Sequence, residues 1–260
     1  MATPIHRVRL FGIDIDCVDT REAIDTVLRW IREPDGQMRY VVTPNVQHTM
    51  VFQDDAPFRE AYAGASLVIA DGWPLVWASR LLGDPLPERV TGSDFLPNLF
   101  EKAGADRPVT LFLLGAAPGI GERAATMIHS RWAGARVVGT YSPPFGFERD
   151  EAENRRILDR IAAANPDILV VGLGAPKQEL WTFRFRAELK TRVALCLGGT
   201  IDFLAGTKAR APVWMQRLGL EWVHRAATEP RRLGRRYAEH AARFPALLFR
   251  EWRDARARAR

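Results

Sequence analysis

Five times in this chain a short apolar run halts at a glycine or a small polar residue, and after the first four a helical pattern begins just beyond. The runs are residues 39–43 (RYVVT), 66–70 (SLVIA), 109–114 (VTLFLL), 167–172 (DILVVG) and 192–197. They halt at Thr43-Pro44-Asn45, Asp71-Gly72, Gly115, Gly172-Leu173-Gly174 and Gly198-Gly199-Thr200. A sixth run, 136–140, leads through Pro143-Pro144-Phe145-Gly146 into a helix over 150–164. Strands joined by crossover helices pair in parallel, so the expected fold is α/β with a Rossmann-like parallel sheet. Ahead of the sheet, residues 8–15 (VRLFGIDI) read as one strand. Asp19 or Thr20 then caps a helix to Arg32, with Ala23, Val27, Trp30 and Ile31 on one face. In open sheets of this kind, ligands sit outside the carboxyl ends of the strands. Five polar or glycine-bearing strand ends therefore fall on one candidate edge, although each glycine alone also suits plain packing.

Charge divides the 260 residues unevenly. Residues 207–260 hold 14 Lys/Arg and 5 Asp/Glu, a local +9, which leaves −3 for residues 1–206. The expected organisation is a core over 1–206 and a basic helical appendage over 207–260. Such a tail meets a polyanion: phospholipid, nucleic acid or a phosphorylated substrate. In the appendage, Arg225, Arg232, Arg235 and Arg236 interleave with Trp214, Leu218, Leu220, Trp222, Leu233 and Tyr237. Pro230 starts a helix on which Arg232, Arg235, Arg236 and Glu239 share a face. Phe244, Leu247, Leu248, Phe249 and Trp252 follow, a pattern of interfacial helices on anionic lipid. A helix packed on the core is the plainer alternative, and the last eight residues read as frayed. The N-terminus lacks an apolar signal core, and the longest apolar run, around 109–120, is too short to span a bilayer. The two cysteines, Cys17 and Cys196, lie far apart and imply neither a disulfide nor a zinc framework. A cytoplasmic protein, peripheral on the membrane, is the expectation.

Each chemical motif has a competing structural reading. Gly115-Ala116-Ala117-Pro118-Gly119-Ile120-Gly121 has the glycine spacing of short-chain dehydrogenases and opens a helix, which suits a phosphate. No acidic residue ends the next strand, and none of the four tyrosines has a lysine four residues on, so nicotinamide chemistry is disfavoured. Asp14-Ile15-Asp16 matches a DxD metal pattern but sits before the main sheet without neighbouring ligands, and reads as a strand end. Asp71 closes an apolar strand at the active edge, where a carboxylate can take a proton from a hydroxyl; helix capping is the alternative. Gly174, Pro176, Lys177, Gln178 and Glu179 bring backbone N–H groups, an ammonium and an amide to one turn, which suits a nucleotide diphosphate.

Taken together, these strings resemble one family, the WecG/TagA/CpsF group of glycosyltransferases (glycosyltransferase family 26). The matching pieces are TPNVQ (43–47), ADG (70–72), RVTGSDF (89–95), LGAAPG (114–119), VGLGAPKQE (171–179), GGTIDFLAG (198–206) and RAPVWMQRLGLEWVHR (210–225). The resemblance covers residues 40–240 and implies an inverting, metal-independent transferase of GT-E type without a cofactor. Its substrates would be a UDP-sugar and a sugar on undecaprenyl diphosphate; the sugar moved would be N-acetylmannosamine, its uronic acid or glucose. It implies Asp71 as base, Thr43 and Asn45 lining the pocket, and Gln178 at the donor. It also brings Gly72, Arg89, Thr91, Gly115, Gly172, Gly174, Pro176, Lys177, Glu179, Gly199 and Asp202 into the binding set. Arginines from the set Arg225, Arg232, Arg235 and Arg236 would close the site from an appendage that also meets the anionic membrane. Nucleic acid is not an expected partner; self-association is compatible with this reading. The competing class is a non-catalytic binder of membrane or nucleic acid, which has no need for Asp71, Thr43 and the GAPKQE loop on one edge.

Overall fold

A computed structural model describes residues 5–208, 210–212, 214–215, 221, 223–224 and 230–258, with the side chains of 230–241 and 258 left aside. Residues 8–15, expected as one strand, form a hairpin. β1 (Arg7–Leu10) and β2 (Ile13–Asp16) pair antiparallel about Phe11-Gly12, whose φ values are 54° and 85°. Two successive positive φ angles make the primed turn whose twist suits a hairpin, and glycine supplies the second without strain. α1 (Thr20–Arg32) opens on a capping box, in which Asp19 accepts from the Glu22 N–H and Glu22 accepts from the Asp19 N–H.

The remaining elements are β3 (Arg39–Val42), α2 (Val46–Asp54), α3 (Ala56–Ala63), β4 (Leu67–Val68), α4 (Trp73–Leu81) and α5 (Gly92–Ala103). After them come β5 (Val109–Gly115), α6 (Ile120–Arg131), β6 (Ala135–Tyr141), a 3₁₀ turn at Phe147–Arg149, and α7 (Glu151–Ala164). β7 (Ile168–Gly172), α8 (Lys177–Phe185), β8 (Val193–Cys196) and α9 (Thr200–Leu204) complete the core, and α10 (Pro230–Arg258) is the long C-terminal helix. α3, α5 and α9 were not foreseen. Residues 253–258, expected to be frayed, are helical.

β3 to β8 form one parallel sheet in the order β4-β3-β8-β7-β5-β6. Apart from the half-open edge strand β6, its strands are apolar on both faces because helices cover both. Val41, Leu111, Leu113, Ile168, Val170, Val193 and Leu195 pack with α1, α5, α6 and α9. Tyr40, Val42, Phe112, Leu114, Leu169, Val171 and Cys196 face the hairpin, α3, α7 and α8. α10 joins this second layer: Leu247 is buried there, Phe244 and Leu248 pack against the same cluster, and the Phe244 ring lies 5.4 Å from that of Phe11. From β5 the chain moves outward to β6, while from neighbouring β7 it moves the other way to β8. That reversal is the topological switch point at which ligands of open α/β sheets bind.

Candidate active site

The loops after five strands are knitted together at the carboxyl edge. Beyond β3, the buried Thr43 hydroxyl donates to the Cys196 carbonyl at 3.1 Å. Asn45 caps α2 by accepting from the Gln47 and His48 N–H groups at 2.9 and 3.4 Å. The Gln47 amide then donates to the Ala175 carbonyl at 3.3 Å, which ties this loop to the one beyond β7. Asp71 follows β4, half-buried, with its N–H donating to the Pro44 carbonyl at 2.8 Å. The α4 cap is Gly72, one residue on, so Asp71 does not fill that position. Val90 N–H donates to the Ala70 carbonyl at 2.9 Å, and Arg89 and Thr91 thereby run beside Asp71.

Glycines set how closely the strand ends approach. A Cβ on Gly115, at φ 114°, would stand 2.5 Å from the Gly172 carbonyl oxygen. On Gly172 it would meet Ile201 at 2.7 Å, and on Gly92 the Thr200 hydroxyl at 2.5 Å. The β5 and β7 ends, at the switch point, thus pack backbone to backbone. Gly174 takes φ 78° in the turn before α8, and Pro176 caps that helix. Lys177 reaches outward, 3.0 Å from Glu148 and 5.4 Å from the ring centre of the fully exposed Phe145.

A run of opposite charges joins the start of the appendage to this edge. Arg210 donates to Asp94 at 3.0 Å, Asp94 also accepts from the Thr91 hydroxyl at 2.8 Å, and Arg89 pairs with Glu221. Glu221 lies 3.8 Å from Arg210. Burial raises the Asp94 carboxyl, but the hydrogen bonds from Arg210 and Thr91 outweigh it and hold the group below its ordinary value. Burial lowers the Arg210 guanidinium, yet Asp94, then Glu221 and Asp71, raise it overall. Asp71 therefore lies within electrostatic reach of Arg210. Arg210 was not among the expected site residues, although it opens the RAP string that carried part of the resemblance.

Behind the edge lies a buried polar chain. Gln178, expected at the donor, is turned inward: its amide donates to Glu179 Oε1 at 2.7 Å and accepts from the Gly198 N–H at 3.0 Å. Glu179 is wholly buried, and burial pushes its carboxyl up to about 7 despite the Gln178 hydrogen bond. His48 Nε2 stands 3.9 Å from Glu179 Oε1, and its Nδ1 shares a 2.7 Å hydrogen bond with the Tyr62 hydroxyl. Burial first, then the charges of Glu179, Cys196 and Asp71, push the Tyr62 phenol well up.

Gly199 caps α9, and Asp202, in its first turn, pairs with Lys208 at 3.5 Å. Arg225 lies outside the described residues; Arg232 and Arg235 are on α10, whose side chains are not described there. The DxD pair is built into the hairpin. Asp16 accepts from Arg7 at 2.8 Å and from the Val68 N–H at 2.7 Å, and Asp14 faces Arg9. No group of three metal-ligating side chains occurs among the described residues. Among them, too, no helix is long and apolar enough to cross a membrane.

The profile of the glycosyl transferase WecG/TagA/CpsF family matches residues 8–258. The chain is also similar to N-acetylglucosaminyldiphosphoundecaprenol N-acetyl-beta-D-mannosaminyltransferases of Staphylococcus aureus, strains MRSA252 and NCTC 8325 / PS 47 among them. With each of these it is 27% identical over 229 residues, covering 88% of this chain and 87% of the relative.

Proposed function

This chain belongs to the glycosyl transferase WecG/TagA/CpsF family, and on that premise we propose the reaction it performs. It moves a sugar of the N-acetylmannosamine type, or glucose, from a UDP-sugar to a sugar on a polyprenyl diphosphate. The work belongs to cell-surface polysaccharide synthesis at the inner face of the bacterial membrane. The relatives' names support the lipid-diphosphate acceptor and the aminosugar.

The observation that carries the chemistry is the place of Asp71: half-buried, backbone-pinned, at the carboxyl edge and within reach of a guanidinium. Its carboxylate takes the proton of the acceptor hydroxyl as that oxygen attacks the anomeric carbon. The attack comes from the face opposite the nucleotide; the bond to the diphosphate breaks with its electron pair, and the configuration inverts. Charge then grows on the leaving diphosphate. Backbone N–H groups of the Gly115 and Gly174 loops, with appendage arginines, are the groups to stabilise it without a metal. Thr43, Asn45 and Lys177 complete the donor side in this reading, with Gln178 and Glu179 buried behind it.

The test is UDP release by purified protein with UDP-N-acetylmannosamine and a short-chain polyprenyl-diphosphate N-acetylglucosamine. Release should require both substrates, persist in EDTA and yield an inverted anomer by NMR. Absence of acceptor-dependent release across a panel of UDP-sugars would overturn the proposal.

A further inference from the structure

We propose that His48, backed by Tyr62, is a positioning residue for the transfer site. It acts through Glu179 on the orientation of the Gln178 amide. This rests on the transferase reading above and adds residues from α2 and α3 to it.

The two ends of a glutamine amide have nearly the same shape, so packing alone hardly tells one from the other. Here two partners decide. Gly198 offers an N–H, which only the amide oxygen can accept, at 3.0 Å. Glu179 Oε1, at 2.7 Å, accepts from the amide N–H, provided that oxygen carries no proton. A flipped amide would set donor against donor at Gly198 and acceptor against acceptor at Glu179. The Glu179 oxygen must therefore stay an acceptor although its carboxyl is fully buried and favours a proton. His48 supplies the reason. His48 Nδ1 and the Tyr62 hydroxyl share a 2.7 Å hydrogen bond, and Nε2 faces Glu179 Oε1 at 3.9 Å; in this proposal the hydroxyl is the donor, which puts the imidazole proton on Nε2. A donor on that side keeps the carboxyl proton off Oε1. The result is a polar chain in two hydrogen-bonded halves, Tyr62 to His48 and Glu179 through Gln178 to the Gly198 backbone, which face each other across the 3.9 Å His48–Glu179 contact.

That chain ends at the edge. Gly198 begins the turn into α9, and Thr200 in that turn touches Gly92 beside Thr91. The other end starts at α2, where Asn45 accepts from the His48 N–H. The chain thus fixes the β3, β7 and β8 loops relative to one another. Tyr62, His48, Gln178 and Glu179 are all at most 5% exposed, and Glu179 Oε2 has no hydrogen-bond partner among the described residues. Apolar side chains would fill this space at lower desolvation cost, so stability alone does not explain the arrangement.

Steady-state transfer by the full chain tests this, with kcat and donor KM measured separately and folding followed by circular dichroism. A misplacement near 1 Å can cost about 10²-fold in rate, so His48→Leu and Glu179→Leu should lose kcat on that scale. Glu179→Gln, whose amide oxygen can still accept from Gln178, should restore kcat to within about 3-fold of wild type. Tyr62→Phe deletes one oxygen and should lower kcat about 10-fold by freeing the imidazole tautomer. If the leucine variants do not fold, Tyr62→Phe and Glu179→Gln decide. Wild-type kcat and KM in Tyr62→Phe, or no rescue by Glu179→Gln, would overturn the proposal. A wild-type protein that fails to transfer at all would instead overturn the transferase reading.

Discussion

At the scale of single residues, the proposed reaction gives two carboxyl groups opposite tasks. Asp71 must lose its proton to act as a base, and it lies near a guanidinium at a half-open edge. Asp71→Asn keeps the shape and removes the proton acceptor. Transfer should fall by about 10²–10⁴-fold, while UDP-sugar affinity measured by calorimetry stays within error. A near-wild-type rate would leave Asp71 a structural role only. Glu179, by contrast, sits where burial favours the neutral form, with its carboxyl raised from 4.5 to about 7. The folded state thus binds this proton more tightly than the unfolded chain does. The resulting stabilisation is fully present below pH 4.5 and is lost as pH rises through about 7. A shift of this size is worth on the order of 3 kcal/mol. Glu179→Gln escapes that loss, so its melting temperature should gain on wild type between pH 5 and pH 8. Parallel melting curves across that range would show that the Glu179 proton is not held as the burial implies.

At the scale of elements, what could be read from sequence follows from where the information lies. The strands β3, β4, β5, β7 and β8 were legible because both their faces are buried, which writes an unbroken apolar run. The capped start of α1 was legible because its capping box is local. The hairpin was missed because its turn, Phe11-Gly12, lies inside an apolar stretch, and Phe11 is itself buried. α3 spans only eight residues, although Asp55 accepting from the Phe58 N–H and Pro57 in its first turn are a readable start signal. The inward turn of Gln178 was not legible, because its partners lie at Gly198 and on the next residue, and only the sheet brings the first of them near. α10 shows the same limit. Its apolar residues read as one interfacial cluster, yet Phe244, Leu247 and Leu248 pack on the core. Phe249 remains 63% exposed, stacked on Trp252 at 5.9 Å, with the Arg256 guanidinium over the Trp252 ring. That pair is the part of the helix suited to a lipid surface. Phe249→Ser with Trp252→Ser should therefore reduce binding to vesicles of anionic phospholipid in a sedimentation assay. Turnover of a water-soluble acceptor analogue should persist, and the outcome that counts against this surface is unchanged vesicle binding.

At the scale of the whole molecule, the charge asymmetry ties the two ends of the chain to one task. The core is net negative and holds Asp71; the last 54 residues are strongly basic. Arg210 and Glu221 dock the start of that segment against Asp94 and Arg89, beside the edge. Leu247 and Phe244 dock its far end on the opposite layer, against the hairpin and its neighbours. A segment held at both ends, with arginines between, is suited to stabilise a diphosphate and to meet an anionic surface. Removal of residues 207–260 should then have two effects. Vesicle affinity should drop, since each engaged basic residue is worth roughly 1 kcal/mol. Transfer should also fall by at least about 10²-fold, even onto a soluble acceptor, if the proposed appendage arginines stabilise the leaving group. Truncation uncovers the apolar surface beneath Leu247, so the same point needs a variant that keeps the packing. Arg210→Gln serves: it removes one charge that pairs with Asp94 and lies within electrostatic reach of Asp71, and it leaves α10 in place. Its soluble-acceptor turnover should fall well below wild type while its vesicle binding barely changes. A truncated core that still folds and turns over the soluble acceptor as fast as the full chain would reduce the appendage to a tether.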